Sequence, residues 1–147
     1  MAATAMAPHI TRLRLTAFRC HAALDLTCGN GAVVLTGANG LGKTNILEAI
    51  SMLAPGRGLR SVALDAMLQV SAAPGSGWTV TADLDGPLGA VRAGVAYAPP
   101  ISPMTGSGHG QENGRETARG GSRKVRIDGT NRKVEELTPV VPQLWLT

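Results

Sequence analysis

Gly37-Ala38-Asn39-Gly40-Leu41-Gly42-Lys43-Thr44 is the stretch whose reading decides the fold. It has the G-x-x-x-x-G-K-T spacing of a phosphate-binding P-loop. Before it, Ala32 to Thr36 is a short apolar, β-branched run, which predicts a buried strand. After it, Asn45 to Leu53 places Ile46, Ala49, Ile50 and Leu53 on one face at helical spacing. Strand, glycine loop and helix, in that order, form the setting the motif requires.

The residue types follow from the chemistry. Nucleotide phosphates carry several negative charges and need many donors at close range. Glycines at 37, 40 and 42 let the backbone curl, so that the loop from Gly37 to Lys43, with Ala38, Asn39 and Leu41 between, turns its N–H groups inward. The helix that starts near Lys43 adds its positive dipole end. Lys43 is expected to reach the β- and γ-phosphates of ATP, and the Thr44 hydroxyl to ligate Mg²⁺. The alternative is a glycine-rich turn that binds nothing. The joint agreement of glycines, lysine, hydroxyl and flanking pattern weighs against it.

The chain has 147 residues, enough for one modest domain. It is 44% hydrophobic but only 3% aromatic, so a core has to be built from Val, Leu, Ile and Ala. Its 19 glycines and 9 prolines predict long loops. Charge is unevenly placed. Arg115, Arg119, Arg123, Lys124, Arg126, Arg132 and Lys133 lie close together against only Glu116 and Asp128, in a chain whose net charge is +4. Cys20 and Cys28 have no second pair for a zinc site. They are expected as free thiols, as suits a cytoplasmic nucleotide binder. Met1 to Pro8 has no basic start, reads as a disordered N-terminus, and is no signal peptide. Nothing in the chain has the length to span a membrane, and a cytoplasmic location is the default.

Along the chain, Leu13, Leu15 and Ala17 alternate with Arg12, Arg14 and Thr16, which predicts a half-buried strand over Ile10 to Ala17. A second strand is expected over Ala22 to Thr27, so an antiparallel pair precedes the nucleotide strand. Ala54-Pro55-Gly56 ends the helix. Val62 to Val70 is ambiguous, with a short helix as one reading. Trp78, Val80, Ala82 and Leu84 alternate as a strand, and Val91 to Ala96 is its return. Residues 98–122 are rich in glycine and proline and read as a flexible loop. Lys124 to Ile127, the turn pair Asp128-Gly129 and Thr130 to Val134 read as a hairpin. Val140 to Thr147 reads as a further buried strand.

A P-loop ATPase also needs acids at the end of a second buried strand, usually after four apolar residues. No such run occurs; Asp25 follows only Leu24, and Asp83 and Asp85 lie in a turn-rich stretch. The expectation is an N-terminal portion of a longer ATPase, occupying residues 9–147, that hydrolyses ATP negligibly by itself.

Several stretches resemble the RecF family. Ile10 to Arg19, with its Phe18-Arg19 ending, is similar to the family's opening. So are Thr36 to Ile50 and Gly56-Arg57-Gly58-Leu59-Arg60. Lys124 to Thr130 is similar to a hairpin of the same family. The combination is shared with the structural-maintenance-of-chromosomes ATPases. The resemblance implies an α/β fold, the head lobe of an ABC-type P-loop ATPase with antiparallel strands ahead of the P-loop strand. It implies ATP and Mg²⁺ as cofactors, an ATP-dependent homodimer and weak ATPase activity in the whole protein. The partners it implies are DNA, as duplex and as single-strand gap junctions, and a RecR-like protein. The role implied is recombinational repair and replication, with loading of recombination proteins at gaps and the SOS damage response. By the same resemblance Arg19 lies near the nucleotide and Arg60 faces nucleotide or DNA.

The residues themselves leave the basic positions open. Arg57 and Arg60 fit a solvated loop or a nucleotide and DNA surface. Arg123, Lys124 and Arg126 fit phosphate contacts that read no bases, or a charged strand edge that discourages aggregation. Too few aromatics are present for a base-stacking platform. The competing reading of the P-loop is a small-molecule or nucleotide kinase. The strand pair ahead of it argues against that, and no arginine-rich lid is recognisable. An inert segment is the third reading.

Overall fold

The computed structural model describes residues 7–87, 89–100 and 121–141. Most of the predicted glycine-rich loop, most of the strand expected over Val140 to Thr147, and nearly all of the expected disordered N-terminus lie outside them. The described residues form one antiparallel sheet of β1 (His9–Phe18), β2 (His21–Thr27), β3 (Trp78–Asp85), β4 (Val91–Ala98), β5 (Ser122–Ile127) and β6 (Thr130–Arg132). The spatial order is β2-β1-β3-β4-β5-β6. One helix, α1 (Lys43–Ser51), packs on one face.

Period-two alternation decides which face each side chain takes. Leu13 and Leu15 of β1 face the same core as Trp78, Val80, Ala82 and Leu84 of β3, with Ala93, Val95 and Tyr97 of β4 and Val125 of β5. From α1 and the turn after it come Ile46, Ala49, Met52 and Leu53. Trp78 lies at the centre. It is fully buried, meets Phe18 edge-on at 5.2 Å between ring centroids, and donates from Nε1 to Leu64 O at 2.7 Å. That last bond holds the irregular segment after α1 against the sheet. There the ambiguous stretch over Val62 to Val70 is resolved as a single 3-10 turn, Asp65–Met67.

The predicted hairpin forms, with Asp128 and Gly129 at φ 49° and 79°, as a two-residue turn requires. Its return strand stops at Arg132, short of Val134, because the chain enters a 3-10 turn at Val134–Leu137. Cys20 and Cys28 are free thiols.

One expectation is overturned. Ala32 to Thr36 joins no ladder among the described residues, and Val33 and Val34 are 57% and 79% exposed. A strand needs a neighbour to pair its backbone groups. None of the described strands runs beside this segment, and only Leu35 packs partly against the core.

The other face of the sheet carries charge. Arg14 Nη2 and Arg92 Nε both donate to Asp83, at 2.6 and 2.5 Å, and Arg12 forks onto Asp25 at 2.8 and 2.6 Å. The hydrogen bond from Arg92, with the charge of Arg14, holds the Asp83 carboxyl below its ordinary value. Its folded pKa is thus lower than its unfolded one. The stabilisation is present above about pH 4 and is lost as pH falls through the folded value. An Asp83→Asn variant is therefore expected to be less stable than the parent at pH 7 and to lose most of that difference at pH 2. Urea unfolding at the two pH values checks this, and an equal gap at both would contradict it.

Candidate nucleotide site

The P-loop needs three backbone conformations that favour glycine, and it has them. Gly37, Gly40 and Gly42 take φ of 143°, 89° and 83°. Gly42 is the N-cap of α1, and Ile46 N–H donates to its carbonyl at 3.1 Å to begin the helix. No side chain caps this end and the first turn holds no acid, so its amides are left for an anion. Lys43 arches back across the loop, its Nζ donating to Gly37 O at 2.6 Å and Ala38 O at 2.8 Å. The ammonium thus lies against the backbone of a glycine loop at a helix N-terminus. Thr44, one residue on, is exposed. These groups fit a nucleotide triphosphate and a divalent cation.

The β1–β2 turn forms one wall of the loop. A side chain on Gly42 would meet Cys20 Sγ at 2.3 Å and His21 Nε2 at 2.7 Å, so only glycine fits there. His21 Nε2 lies 3.3 Å from Gly42 O, and Asn45 Nδ2 donates to Cys20 Sγ at 3.2 Å. Arg19 sits at the tip of this turn. Its guanidinium forks onto Glu48 of α1 at 2.9 and 2.7 Å and donates to Ala66 O at 2.8 Å. Arg19 is therefore next to the P-loop, bound to the P-loop helix. Glu48 escaped the sequence reading. The available signal was a single acid set among the buried positions of α1.

The candidate DNA residues separate. Arg57 and Arg60 are exposed on the loop that leaves the C-terminal end of α1. Ser51 anchors that loop, accepting from Leu59 N–H at 2.7 Å while donating to Glu48 O at 2.6 Å. Lys124 and Arg126 are exposed on the charged face of β5. Arg123 points the opposite way, because neighbouring residues of a strand alternate. Its guanidinium donates to Met52 O, Ala54 O (2.8 Å) and Gly56 O (2.5 Å), and burial pulls its pKa down. It caps the carbonyls left over at the end of α1. Both of its terminal nitrogens are committed there, and the other two cations of the group remain outward. Asp25 and Asp83, two of the acids considered for the end of a second buried strand, lie paired with arginines on the face opposite α1.

The AAA domain family matches residues 12–61, which include the P-loop. The DNA replication and repair protein RecF of Rhizobium etli (strain CIAT 652) is 43% identical over 144 residues, 95% of this chain and 33% of that protein. RecF of Agrobacterium fabrum (strain C58) is 42% identical over 139 residues, 94% of this chain and 32% of that protein. Over these residues the chain is similar to RecF. The similarity suggested by Phe18-Arg19, the P-loop and Gly56 to Arg60 extends over nearly its whole length. It spans about a third of the length of the curated RecF proteins it matches. A solved structure of the recombination mediator RecF with ATP, from the RecFOR pathway, superimposes with a TM-score of 0.68 at 16% identity. It covers 90% of this chain and 30% of that one, and it supports the α/β head fold with its antiparallel sheet.

If Thr44 ligates the cation, Thr44→Ala weakens ATP binding by about tenfold in the presence of Mg²⁺ and hardly at all in EDTA. Titration with a labelled ATP analogue in both buffers measures this. Equal losses in the two would remove Thr44 from the metal shell.

Proposed function

We propose that this chain forms the nucleotide-binding lobe of an ATP-dependent, DNA-binding protein of recombinational repair. The observation that carries the proposal is the P-loop itself, three glycines at positive φ, an uncapped helix end and the Lys43 ammonium above them. The triphosphate is held by the backbone from Gly37 to Thr44 and by Lys43, and Mg²⁺ by Thr44. Bound Mg²⁺ would neutralise charge on the β- and γ-oxygens. Arg19, beside the loop, completes the nucleotide site. Its curated relatives carry the name RecF, and their established length is about three times what is seen here.

On this reading ATP draws two heads into a homodimer, and basic residues of both face one duplex. Arg57, Arg60, Lys124 and Arg126 are the exposed candidates. Such contacts meet phosphates and ignore base identity. The protein would act in the cytoplasm at duplex and single-strand gap junctions with a RecR-like partner, in repair, replication and the SOS response.

Duplex affinity of the full-length protein is expected to rise with ATP, to vary little with sequence and to fall steeply with salt. With these cations supplied by two heads, the loss between low and physiological salt is about a thousandfold. Arg60→Ala should weaken binding and flatten the salt slope. Anisotropy of a labelled duplex, with and without ATP at several salt concentrations, tests all of this. Affinity flat in both variables would reject the ATP-gated reading and reopen the kinase.

A further inference from the structure

We infer that Glu48 is a positioning residue of the nucleotide site, acting through Arg19. The inference rests on the nucleotide reading above and adds the element that sets the shape of the loop.

Glu48 has no exposed surface, and its carboxylate is met by the guanidinium of Arg19 on both oxygens. An acid buried this deeply is retained only when paired and hydrogen-bonded. It stands four residues after Thr44, one helical turn along the same side of α1. The partner arginine sits in a turn that is strained. Ala17 and Arg19, neither of them glycine, take φ of 51° and 55°. Such conformations persist only where the surroundings over-determine them. Three restraints are visible. Arg19 N–H donates to Met67 O and Gln69 N–H to Ala17 O, both at 2.8 Å, and the Arg19 fork grips Glu48.

The next two residues of the same turn, Cys20 and His21, press on Gly42 and reach Asn45 and the Gly42 carbonyl. The contacts therefore form a closed ring. It leaves α1 at Glu48, crosses to Arg19, follows the turn through Cys20 and His21, and returns to α1 at its first residues. The phosphate loop is held between the helix and this ring. Loosening the Arg19 fork releases the strained turn and with it the wall against which Gly42 is seated. Lys43 and Thr44 then lose their fixed origin. Displacements of this kind, small and one step removed from the ligand, have large effects on a site built on geometry.

The test uses the full-length protein, with fluorescent ATP-analogue titration well below the melting midpoint of the weakest variant. Glu48→Gln keeps the volume but offers an amide N–H₂ where the guanidinium needs an acceptor. Arg19→Lys keeps the charge and loses the fork. Each is expected to weaken nucleotide binding by about tenfold or more, with circular dichroism unchanged. The double variant should bind no worse than the weaker single one, since both remove the same link. Retention of affinity within twofold in either folded variant overturns the inference, as does a double loss equal to the product of the single ones. Should Glu48→Gln fail to fold, Glu48→Asp, which keeps the charge but draws the carboxylate back from the guanidinium, takes its place and is judged by the same limits. Lys43→Ala runs in parallel. If it binds as tightly as the parent, the nucleotide reading itself fails. If it loses affinity while Glu48→Gln and Arg19→Lys retain it, only the role of Glu48 is rejected.

Discussion

Lys43→Ala lowers ATP affinity of the full-length protein by about a hundredfold or more, the largest effect expected of any single change at the site. Charge-assisted hydrogen bonds contribute about 1.5–3 kcal/mol each, and Lys43 is expected to make them to two phosphates. In the structure its ammonium instead donates to Gly37 O and Ala38 O. These bonds are exchanged when phosphate oxygens arrive, so the side chain also keeps the loop curled until then. Lys43→Arg should not restore binding, because a planar fork cannot take the place of a compact ammonium beneath the loop. Equilibrium titration with a labelled ATP analogue measures both variants. Unchanged affinity in Lys43→Ala would remove the P-loop assignment and, with it, the proposed function.

Arg19→Ala destabilises the fold by about 3–5 kcal/mol, because it leaves the fully buried Glu48 carboxylate without a cation. Domains of this size are stable by only about 5–15 kcal/mol in total, so the variant is expected to lose a large share of its stability. Removing both charges is far milder. An Arg19→Met and Glu48→Leu pair leaves no stranded carboxylate and should recover most of the loss. Urea unfolding of the parent, the single and the double variants supplies the comparison. If Arg19→Ala were as stable as the parent, Glu48 would have to find another partner or water, and the ring around the P-loop would not hold as described.

Local pattern made much of the chain readable. The alternation of Leu13 and Leu15 with Arg12 and Arg14, and of Trp78, Val80, Ala82 and Leu84 with their neighbours, assigned inner and outer faces that the sheet keeps. The spacing of Gly37, Gly40, Gly42, Lys43 and Thr44 specified the loop, since each conformation and donor there depends on its own residue type. The turn pair Asp128-Gly129 likewise specified its hairpin. These features need only residues close together in the chain.

What the tertiary structure decided depends on partners far away in sequence. Arg19 and Arg123 are alike as residues, yet one forks onto an acid 29 positions on and the other caps carbonyls about 70 positions back. Strand period separates Arg123 from Lys124 and Arg126, which stay exposed, but it does not name the partner that either buried arginine takes. Ala32 to Thr36 teaches the same lesson in reverse. Its composition predicts a strand, but a strand exists only where another chain segment offers its backbone groups, and none of the described residues does so. The pairing of β1 with β3, rather than with β2 alone, was equally closed to the sequence. Faces and loops follow from side-chain period and backbone sterics. The partners of a buried charge, or of a strand edge, are chosen by the path of the whole chain.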